Sequence, residues 1–425
     1  MFVHPILGAI TDSQGVIYAA VRDTIVVMKD GEVVGYWVDS LATGENGHNV
    51  SKKLKSNEGA AVAAAVATGG NGIGAPVVCS YVRNLMLTED ESRLVACVDS
   101  DKSLAIFDIN RDTESGFIQL VQRQKFPKRP NALAFADNDT SIIVADKFGD
   151  VYKIPLNNKS EVTETKEDQG LEPILGHVSM LTDVVVVADP AGKNYVITAD
   201  RDEHIKVSHY PQTYIVDKWL FGHGEFVSSI TVPKWDQKLL ISAGGDEDVF
   251  LWDWVSGELL SKFTYTDHIK PYINDQHLAP ARFQNENNDV IEYGVAKVST
   301  ASSEPYVAFF IEATKVVFIL RYSNGTLELA QKIDFNHNVI SLASGQNNSF
   351  IVTLDNRVES DEELLVFISY TDQSGTPYKI DEQTQSLNNA INEQLKNKKE
   401  LLVDEDSVFP LYNITSLKKH GEHFS

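Results

Sequence analysis

Three segments of the chain repeat one arrangement of strands and turns, and this repeat restricts the fold more than any other feature. The segments read LVACVDSDKSLAIFD, YVITADRDEHIKVSH and LLISAGGDEDVFLWD, and they end at Asp108, His209 and Asp253. In each of them a short apolar strand meets a turn that contains aspartate, and a second strand follows. Similar apolar runs without a helical period recur along the chain and indicate an all-β protein.

The last of these units carries a set of side chains that is typical of a WD repeat. Gly222-His223 precedes Trp252-Asp253 by about 30 residues, the separation expected for the Gly-His and Trp-Asp dipeptides. Ser242 and Asp246 lie between them. The indole N–H of Trp252 needs an acceptor when buried, and an imidazole can bridge a hydroxyl and a carboxylate. We therefore predict one hydrogen-bonded chain through His223, Ser242, Asp246 and Trp252.

The preceding unit predicts a truncated version of the same network. It offers His177, Thr198 and Asp202 at the offsets of the following unit, but Ser208 stands where tryptophan is expected. A histidine with an aspartate and a hydroxyl also mimics a hydrolytic triad. The repeat itself requires the trio in each intact blade, so we interpret both histidines as structural and predict no catalytic residue in this chain.

Degenerate copies of the repeat bring the number of candidate blades to seven. A radial propeller closes such a set while leaving only short, protected strand edges. We predict a seven-bladed WD-repeat β-propeller over residues 1–380, with a flexible insertion at 41–77, an ordered long loop at 267–289 and a C-terminal tail at 381–425 that packs back in part. The candidate blades are 1–35, 78–112, 128–158, 173–212, 221–262, 290–335 and 338–380.

The charge balance argues against an independent nucleic-acid-binding protein. The chain has 37 Lys and Arg against 60 Asp and Glu, a net charge of −23, whereas polyanions are held by dense positive surfaces. One basic island interrupts this acidity, because no acidic residue occurs from Ser115 to Ala136. Its cations are predicted either to form a solvated loop or to contact RNA phosphates, and they are Arg123, Lys125, Lys128 and Arg129.

The turn at 200–206, DRDEHIK, concentrates charge at the edge of a blade. Strand alternation predicts that Glu203 and Lys206 lie near the rim of the propeller, and Arg201 has no obvious structural role. A rim of mixed charge is compatible with solvation and with a salt-bridged protein interface.

Nine blocks of the sequence carry a resemblance to a known family. They are SYVRNLMLTEDESRL (80–94), KRPNAL (128–133), VADKFGDVY (144–152), EPILGHVSMLTDV (172–184), ADRDEHIKVSHYPQ (199–212), IVDKWLFGH (215–223), LISAGGDE (240–247), INDQHLAPARFQNENNDVIE (273–292) and SLKKHGEH (416–423). Together they resemble the non-catalytic WD-repeat subunit of fungal tRNA guanine-N7 methyltransferases. The resemblance covers most of the chain outside 41–77 and 355–407.

The resemblance implies a propeller bound one-to-one to a separate catalytic subunit. That partner would carry S-adenosylmethionine and methylate the guanine at position 46 of tRNA, so no cofactor is expected in this chain and tRNA is reached through the complex. The interface lysine of the family maps onto Lys206, with Glu203 and Arg201 beside it. Such a subunit would stabilise or activate its partner.

The sequence leaves two alternative functions open and also indicates a cellular location. A generic WD-repeat scaffold or adaptor in another nuclear complex would share the blades, and a propeller enzyme would need convergent carboxylates or a metal at its axis. Cys79 and Cys97 are too few for a disulfide framework, and no apolar run approaches the length of a membrane span. We expect no membrane partner and a location in the nucleus, with the cytoplasm as a second site.

Overall fold

The structure of the protein is a computed structural model that describes part of the chain. The described residues are 1–41, 80–111, 117–156, 163–165, 171–357, 363–373, 375–381, 384–405, 408 and 411–420. The insertion predicted at 41–77 lies outside these ranges except for Leu41. Within them seven sheets each contain four antiparallel main strands, and an eighth sheet has two strands. The prediction of a seven-bladed propeller is confirmed.

The first three blades lie between residues 6 and 176. Their strands are β2 (Ile6–Thr11), β3 (Ile17–Val21), β4 (Thr24–Lys29) and β5 (Glu32–Val38); β6 (Val82–Leu87), β7 (Arg93–Val98), β8 (Ser103–Ile109) and β9 (Ile118–Lys125); and β10 (Pro130–Ala136), β11 (Ser141–Asp146), β12 (Asp150–Pro155) and β14 (Leu175–Gly176). Strand β13 (Thr163–Thr165) pairs in parallel with β9 and gives blade 2 a fifth strand.

The remaining four blades follow in the same order from the innermost to the outermost strand. Their strands are β15 (Leu181–Ala188), β16 (Asn194–Asp200), β17 (Ile205–Tyr210) and β18 (Val216–Leu220); β19 (Val227–Thr231), β20 (Leu239–Gly244), β21 (Asp248–Asp253) and β22 (Glu258–Thr264); β23 (Val295–Thr300), β24 (Tyr306–Ile311), β25 (Val316–Ser323) and β26 (Thr326–Asp334); and β27 (Val339–Ser344), β28 (Phe350–Leu354), β29 (Leu365–Tyr370) and β30 (Tyr378–Ile380).

The middle strands of the blades are buried on both faces, which explains their continuous apolar runs. All residues of β3 and β20 are buried, whereas the outermost strand β18 is largely exposed. Alternation of apolar and polar residues disappears where a strand is covered on both sides. Seven apolar clusters result, one between each pair of neighbouring blades, and they make a closed ring of cores.

The ring is closed by packing and by the two chain ends. Strand β1 (Phe2–Val3) pairs with β31 (Leu402–Val403). Helix α2 (Thr384–Lys396) buries Ile391 and Leu395 in the cluster between blades 7 and 1. The side chain of Asn388 accepts from the backbone N–H groups of Leu364 and Leu365. Residues after the last blade therefore fasten the first blade to the seventh.

Consecutive antiparallel strands place the turns of every blade at two ends. The turns between second and third strands share one end with the connections between blades, and we call this end the top face. The long loop after blade 5 begins with helix α1 (Thr266–Ile269) and continues in short 3-10 turns. In the part of the chain that is described, no helix has the length and apolar character needed to cross a bilayer.

Candidate functional site

The structure brings together the four side chains predicted in blade 5. The indole Nε1 of Trp252 donates to Ser242 Oγ at 2.9 Å, and the ring of His223 bonds Ser242 Oγ at 2.7 Å and Asp246 Oδ2 at 2.6 Å. One tautomer satisfies the whole chain: the hydroxyl donates to Nε2, and Nδ1–H donates to the carboxylate. The network links two strands of the blade, which carry Ser242 and Trp252, to the two loops that carry His223 and Asp246.

Blade 4 contains the shorter network, but with a different aspartate. The ring of His177 bonds Thr198 Oγ1 at 2.7 Å and Asp200 Oδ2 at 2.8 Å. The prediction that Asp202 fills this place is wrong, because Asp202 accepts from Ser179 and pairs with Lys419 instead.

The error follows from aligning the two blades on the wrong residue. Histidine and aspartate are 23 residues apart in both networks, whereas the hydroxyl follows the histidine by 21 residues in blade 4 and by 19 in blade 5. An alignment on Thr198 and Ser242 therefore displaces the aspartate by two positions. Burial lowers the pKa of His177, and its bond to Asp200 opposes that shift only in part.

Burial also decides the role of these two trios. Thr198 and Ser242 are fully buried, so neither hydroxyl can reach a substrate. Among the described residues, no three His, Cys, Asp or Glu side chains are grouped to hold a metal ion. The geometry supports a structural role for both histidines.

Lys206 does not lie on the open rim that strand alternation predicts. The residue is only 6% exposed, its Nζ donates to the carbonyl of Gly176 at 2.6 Å, and the ammonium lies 5.2 Å from the ring centre of Trp219. Burial lowers the pKa of Lys206, and the charge of Asp200 counteracts this. The fourth strand and the neighbouring blade cover a side chain that sequence periodicity places outside.

A cavity of about 430 Å³ opens beside Lys206, between the outer strands of blades 3 and 4. Asp150 and Gly176 come from blade 3, Tyr214 from the segment that leads into β18, and Val216 from the start of β18. The cavity combines apolar walls with the buried cation of Lys206 and, from blade 3, the carboxylate of Asp150. Its complete lining is Asp150, Pro173, Ile174, Leu175, Gly176, Lys206, Thr213, Tyr214 and Val216.

Exposed apolar side chains surround this cavity and form a surface that we call the blade 4 flank. Trp219 is 38% exposed and contacts the rings of His204 and Phe221, with centroids 5.5 and 6.3 Å away. Sequence reasoning missed this surface, although the apolar composition of YIVDKWLF in an outermost strand was a usable signal. The members are Val178, Tyr214, Ile215, Val216, Trp219 and Phe221.

The other two predicted interface residues differ in their surroundings. Arg201 Nε donates to the carbonyl of Leu417 at 2.7 Å, so its guanidinium is engaged within the chain rather than free for a partner. Glu203 is exposed at the tip of the turn, with a φ of 68° that non-glycine residues rarely adopt.

Arg201 binds one end of a strap, residues 411–420, which crosses the top face from blade 7 to blade 4. The strap begins where Tyr412 Oη donates to Asp355 at 2.6 Å. It continues where Glu312 accepts from the backbone of Ile414 at 2.7 Å. Its end is held by two ion pairs, Lys418 with Glu225 and Lys419 with Asp202, and by a hydrogen bond of 2.6 Å between His420 and Glu292.

The basic island predicted at 123–129 is divided by the fold. Arg123 is 5% exposed and bonds Asp101 at 2.7 Å and Asp39 at 3.0 Å, and Lys125 lies 3.9 Å from Asp101. The prediction of a solvated loop or an RNA contact is therefore wrong for Arg123, and Lys125 also lies beside a carboxylate. The carboxylates approach from distant parts of the sequence.

Lys128 and Arg129 belong instead to a different group of cations on the top face. The ammonium of Lys128 lies 4.3 Å from the ring centre of Phe148, which is 62% exposed. Burial lowers the pKa of Arg129. Lys102 and Lys147 complete this group, which we call the top-face basic cluster.

The fold and its His-Asp-hydroxyl networks define a WD-repeat β-propeller. A chain in the crystal structure of the mitotic checkpoint complex has a similar fold, with a TM-score of 0.53 over 82% of this chain and 86% of that one. The sequence identity is 12%, so this similarity concerns the fold alone.

Sequence comparison then places the chain in one family. The profile described as the tRNA methyltransferase TRM82 WD40 domain matches residues 17–173 and 163–366. The tRNA (guanine-N(7)-)-methyltransferase non-catalytic subunit TRM82 of Candida glabrata is 57% identical over the full length of both chains. Its counterpart in Saccharomyces cerevisiae strain S288c is 46% identical, over 100% of this chain and 99% of that one. The chain belongs to the TRM82 family of non-catalytic tRNA (guanine-N7-)-methyltransferase subunits.

Proposed function

We propose that this chain forms a one-to-one complex with a catalytic methyltransferase subunit through the blade 4 flank. The complex would form N7-methylguanosine at position 46 of tRNA, with S-adenosylmethionine bound by the partner. Membership in the TRM82 family supports this proposal. The structural observation that carries it is the exposed apolar surface around the buried ammonium of Lys206.

The chemistry of the flank fits a protein partner. Tyr214 is 81% exposed, Phe221 is 71% exposed and Val178 is fully exposed. A contiguous apolar surface of this kind on a soluble protein marks an interaction site, and large aromatic side chains supply most of the binding energy in protein interfaces. These residues can anchor a partner without moving the propeller core.

Lys206 gives the same surface a charge requirement. Its ammonium has already lost most of its water in the folded chain, so a partner carboxylate that enters the cavity gains an ion pair at a reduced desolvation cost. An apolar rim around the buried cation therefore favours a partner whose contact surface is largely apolar and places a carboxylate within reach of Lys206.

The proposal assigns separate tasks to the two subunits. This chain supplies a rigid docking surface, and the partner supplies the methyl donor and the reacting groups. A generic scaffold would bind other proteins without affecting tRNA methylation. We also propose that the protein works in the nucleus, with a fraction in the cytoplasm, and imaging of a tagged full-length chain tests this.

Co-expression of the full-length chain with the catalytic subunit tests the main proposal. We expect the Tyr214→Glu/Phe221→Glu variant to lose co-purification and the host to lose N7-methylguanosine in tRNA. A matched control is Ile380→Glu, which introduces a charge at an exposed position on the outermost strand of blade 7. Full recovery of the partner with the flank variant would contradict the proposal.

A further inference from the structure

The top-face basic cluster is assembled by three turns of blades 2 and 3. The backbone carbonyl of Arg129 accepts from Lys147 N at 3.0 Å, and the carbonyl of Lys102 accepts from Phe126 N at 3.0 Å. Lys102 Nζ also approaches the carbonyl of Pro127 at 3.4 Å. These contacts hold the second-to-third-strand turns of both blades against the connection between them.

The positive charge of this cluster is not cancelled by the nearest carboxylates. Asp99 pairs with Arg83 at 2.8 Å, and Asp101 pairs with Arg123. Burial lowers the pKa of Lys147, and the neighbouring charges of Arg129, Lys128 and Lys102 lower it further, against a smaller opposing effect of Asp99. The cations therefore repel one another in the free protein, and an anion bound among them would relieve that repulsion.

An exposed aromatic ring lies within the cluster. Phe148 projects from the turn after β11, and the ammonium of Lys128 covers one part of its ring. Proteins bind nucleic acids with clustered cations, which attract the phosphates, and with exposed aromatic side chains, on which the bases stack.

The cluster also adjoins the blade 4 flank. The backbone N–H of His177 donates to the carbonyl of Gly149 at 2.8 Å. Gly149 has a φ of 111°, and a Cβ atom there would collide with the carbonyl oxygens of His177 and Ser179. The turn that carries Lys147 and Phe148 is thus packed against the segment that carries Val178. A macromolecule held by a subunit on the flank lies within reach of the cluster.

We infer that Lys102, Lys128, Arg129 and Lys147, with Phe148, form an RNA-binding surface that contacts the phosphate backbone of the tRNA held by the catalytic subunit. The inference rests on the proposed function, because the acidic chain would bind RNA here only when the partner presents it. The surface lends the complex affinity for tRNA in general and carries no base sequence preference.

Binding of an unmodified tRNA transcript to the purified two-subunit complex tests this inference at several salt concentrations. The variant Lys102→Gln/Lys128→Gln removes two charges and leaves the partly buried Arg129 in place. We expect weaker binding and a plot of log affinity against log salt that is less steep by about 1 to 2. The matched control Lys193→Gln/Lys234→Gln removes two exposed charges from first-to-second-strand connections at the opposite end of the blades, and it should bind like the wild type.

Phe148→Ala gives a second, independent measurement. Loss of stacking should weaken tRNA binding about fivefold or more, with an unchanged salt dependence, because no counterion release is involved. Equal affinities and salt slopes for the cluster variant and its control would overturn the inference. Loss of subunit pairing in the cluster variant would overturn it too and assign the cluster to the protein interface. Failure of the wild-type chain to pair would instead refute the proposed function.

Discussion

Arg201 and Leu417 are joined by a hydrogen bond across 216 residues of sequence, from the guanidinium Nε to the carbonyl oxygen at 2.7 Å. The same guanidinium approaches the carbonyl of Lys418 at 3.4 Å. The strap is thereby attached to the turn that carries Glu203 and leads into Lys206. The C-terminal segment of the chain thus supports the local structure beside the proposed partner surface.

Replacing Arg201 by alanine should release the end of the strap. We expect faster amide hydrogen exchange at residues 415–420, and a free energy of unfolding lower by about 1 kcal/mol, since Arg201 is only partly buried. Arg321→Ala, at an exposed arginine of blade 6, is the control. Unchanged exchange in the strap would show that the ion pairs of its last residues suffice to hold it.

Glu312 makes the attachment of the strap depend on pH. Burial raises the pKa of Glu312 from 4.5 to about 7, although backbone N–H groups of the strap bond its carboxylate and oppose the shift. The folded protein therefore holds this proton more tightly than the unfolded chain does. The stability from protonated Glu312 is complete below about pH 4.5 and is lost as the pH rises through 7.

The Glu312→Gln variant isolates this effect. Its side chain stays neutral, so the wild type should lose roughly 3 kcal/mol of stability relative to the variant between pH 4.5 and pH 8. Urea unfolding at several pH values measures the difference, with Glu328→Gln at an exposed position of the same blade as the control. Parallel stability curves for wild type and variant would contradict the raised pKa.

The network of blade 5 predicts a specific coupling between Trp252 and Ser242. Trp252→Phe removes the indole donor and leaves the buried hydroxyl with one partner fewer, so the free energy of unfolding should fall by about 1 to 3 kcal/mol. The double variant Trp252→Phe/Ser242→Ala should lose less free energy of unfolding than the two single variants lose together, because both changes remove the same hydrogen bond. Strict additivity in urea unfolding would argue against the network.

The corrected network of blade 4 predicts unequal effects at two neighbouring aspartates. Asp200 accepts from His177 and from the backbone of Asp202 and His204, so Asp200→Asn should cost about 1 to 3 kcal/mol. Asp202→Asn should cost at most about 1 kcal/mol, because it weakens a partly exposed ion pair with Lys419. Thermal unfolding measures the stability that each variant loses. Equal losses would indicate that Asp202 belongs to the network as first predicted.

The sequence predicts local features of this fold better than long-range ones. Recurring apolar runs and aspartate turns are sufficient for the seven blades, because each blade is made of consecutive strands. The network around Trp252 keeps a spacing that can be read directly. In blade 4 the shift of the hydroxyl position by two residues has no visible signal, so Asp202 is predicted in place of Asp200.

The proposed interface and the distribution of charge depend on residues that are distant in sequence. Arg123 is neutralised by Asp39, which lies 84 residues away, and a linear count of charges cannot detect such a partner. Lys206 is covered by Gly176 from blade 3 and by Trp219 from the next strand. Strand alternation assigns a side chain to one face of a sheet but does not reveal what packs against that face.

The burial of Lys206 changes which substitution tests its role. Lys206→Glu would place a carboxylate against the carbonyl of Gly176 in a largely buried site, so it should destabilise the propeller itself. Lys206→Met keeps an apolar stem against Trp219 and removes only the ammonium. We expect the melting temperature of this variant alone to stay within a few degrees of the wild type, because the lost hydrogen bond is offset by the absence of a buried charge.

Binding of the catalytic subunit should respond to Lys206→Met far more strongly than folding does. If a partner carboxylate enters the cavity, Lys206→Met leaves that carboxylate without its counter-ion in a desolvated contact. The affinity between the two subunits should then weaken by roughly 2 to 5 kcal/mol. Lys218→Met is a matched control, since Lys218 is also partly buried in blade 4 and bonds a backbone carbonyl, that of Val255. Calorimetric titration of the two subunits measures both variants. Wild-type affinity for Lys206→Met would show that the ammonium serves the propeller alone and that the apolar flank binds the partner without it.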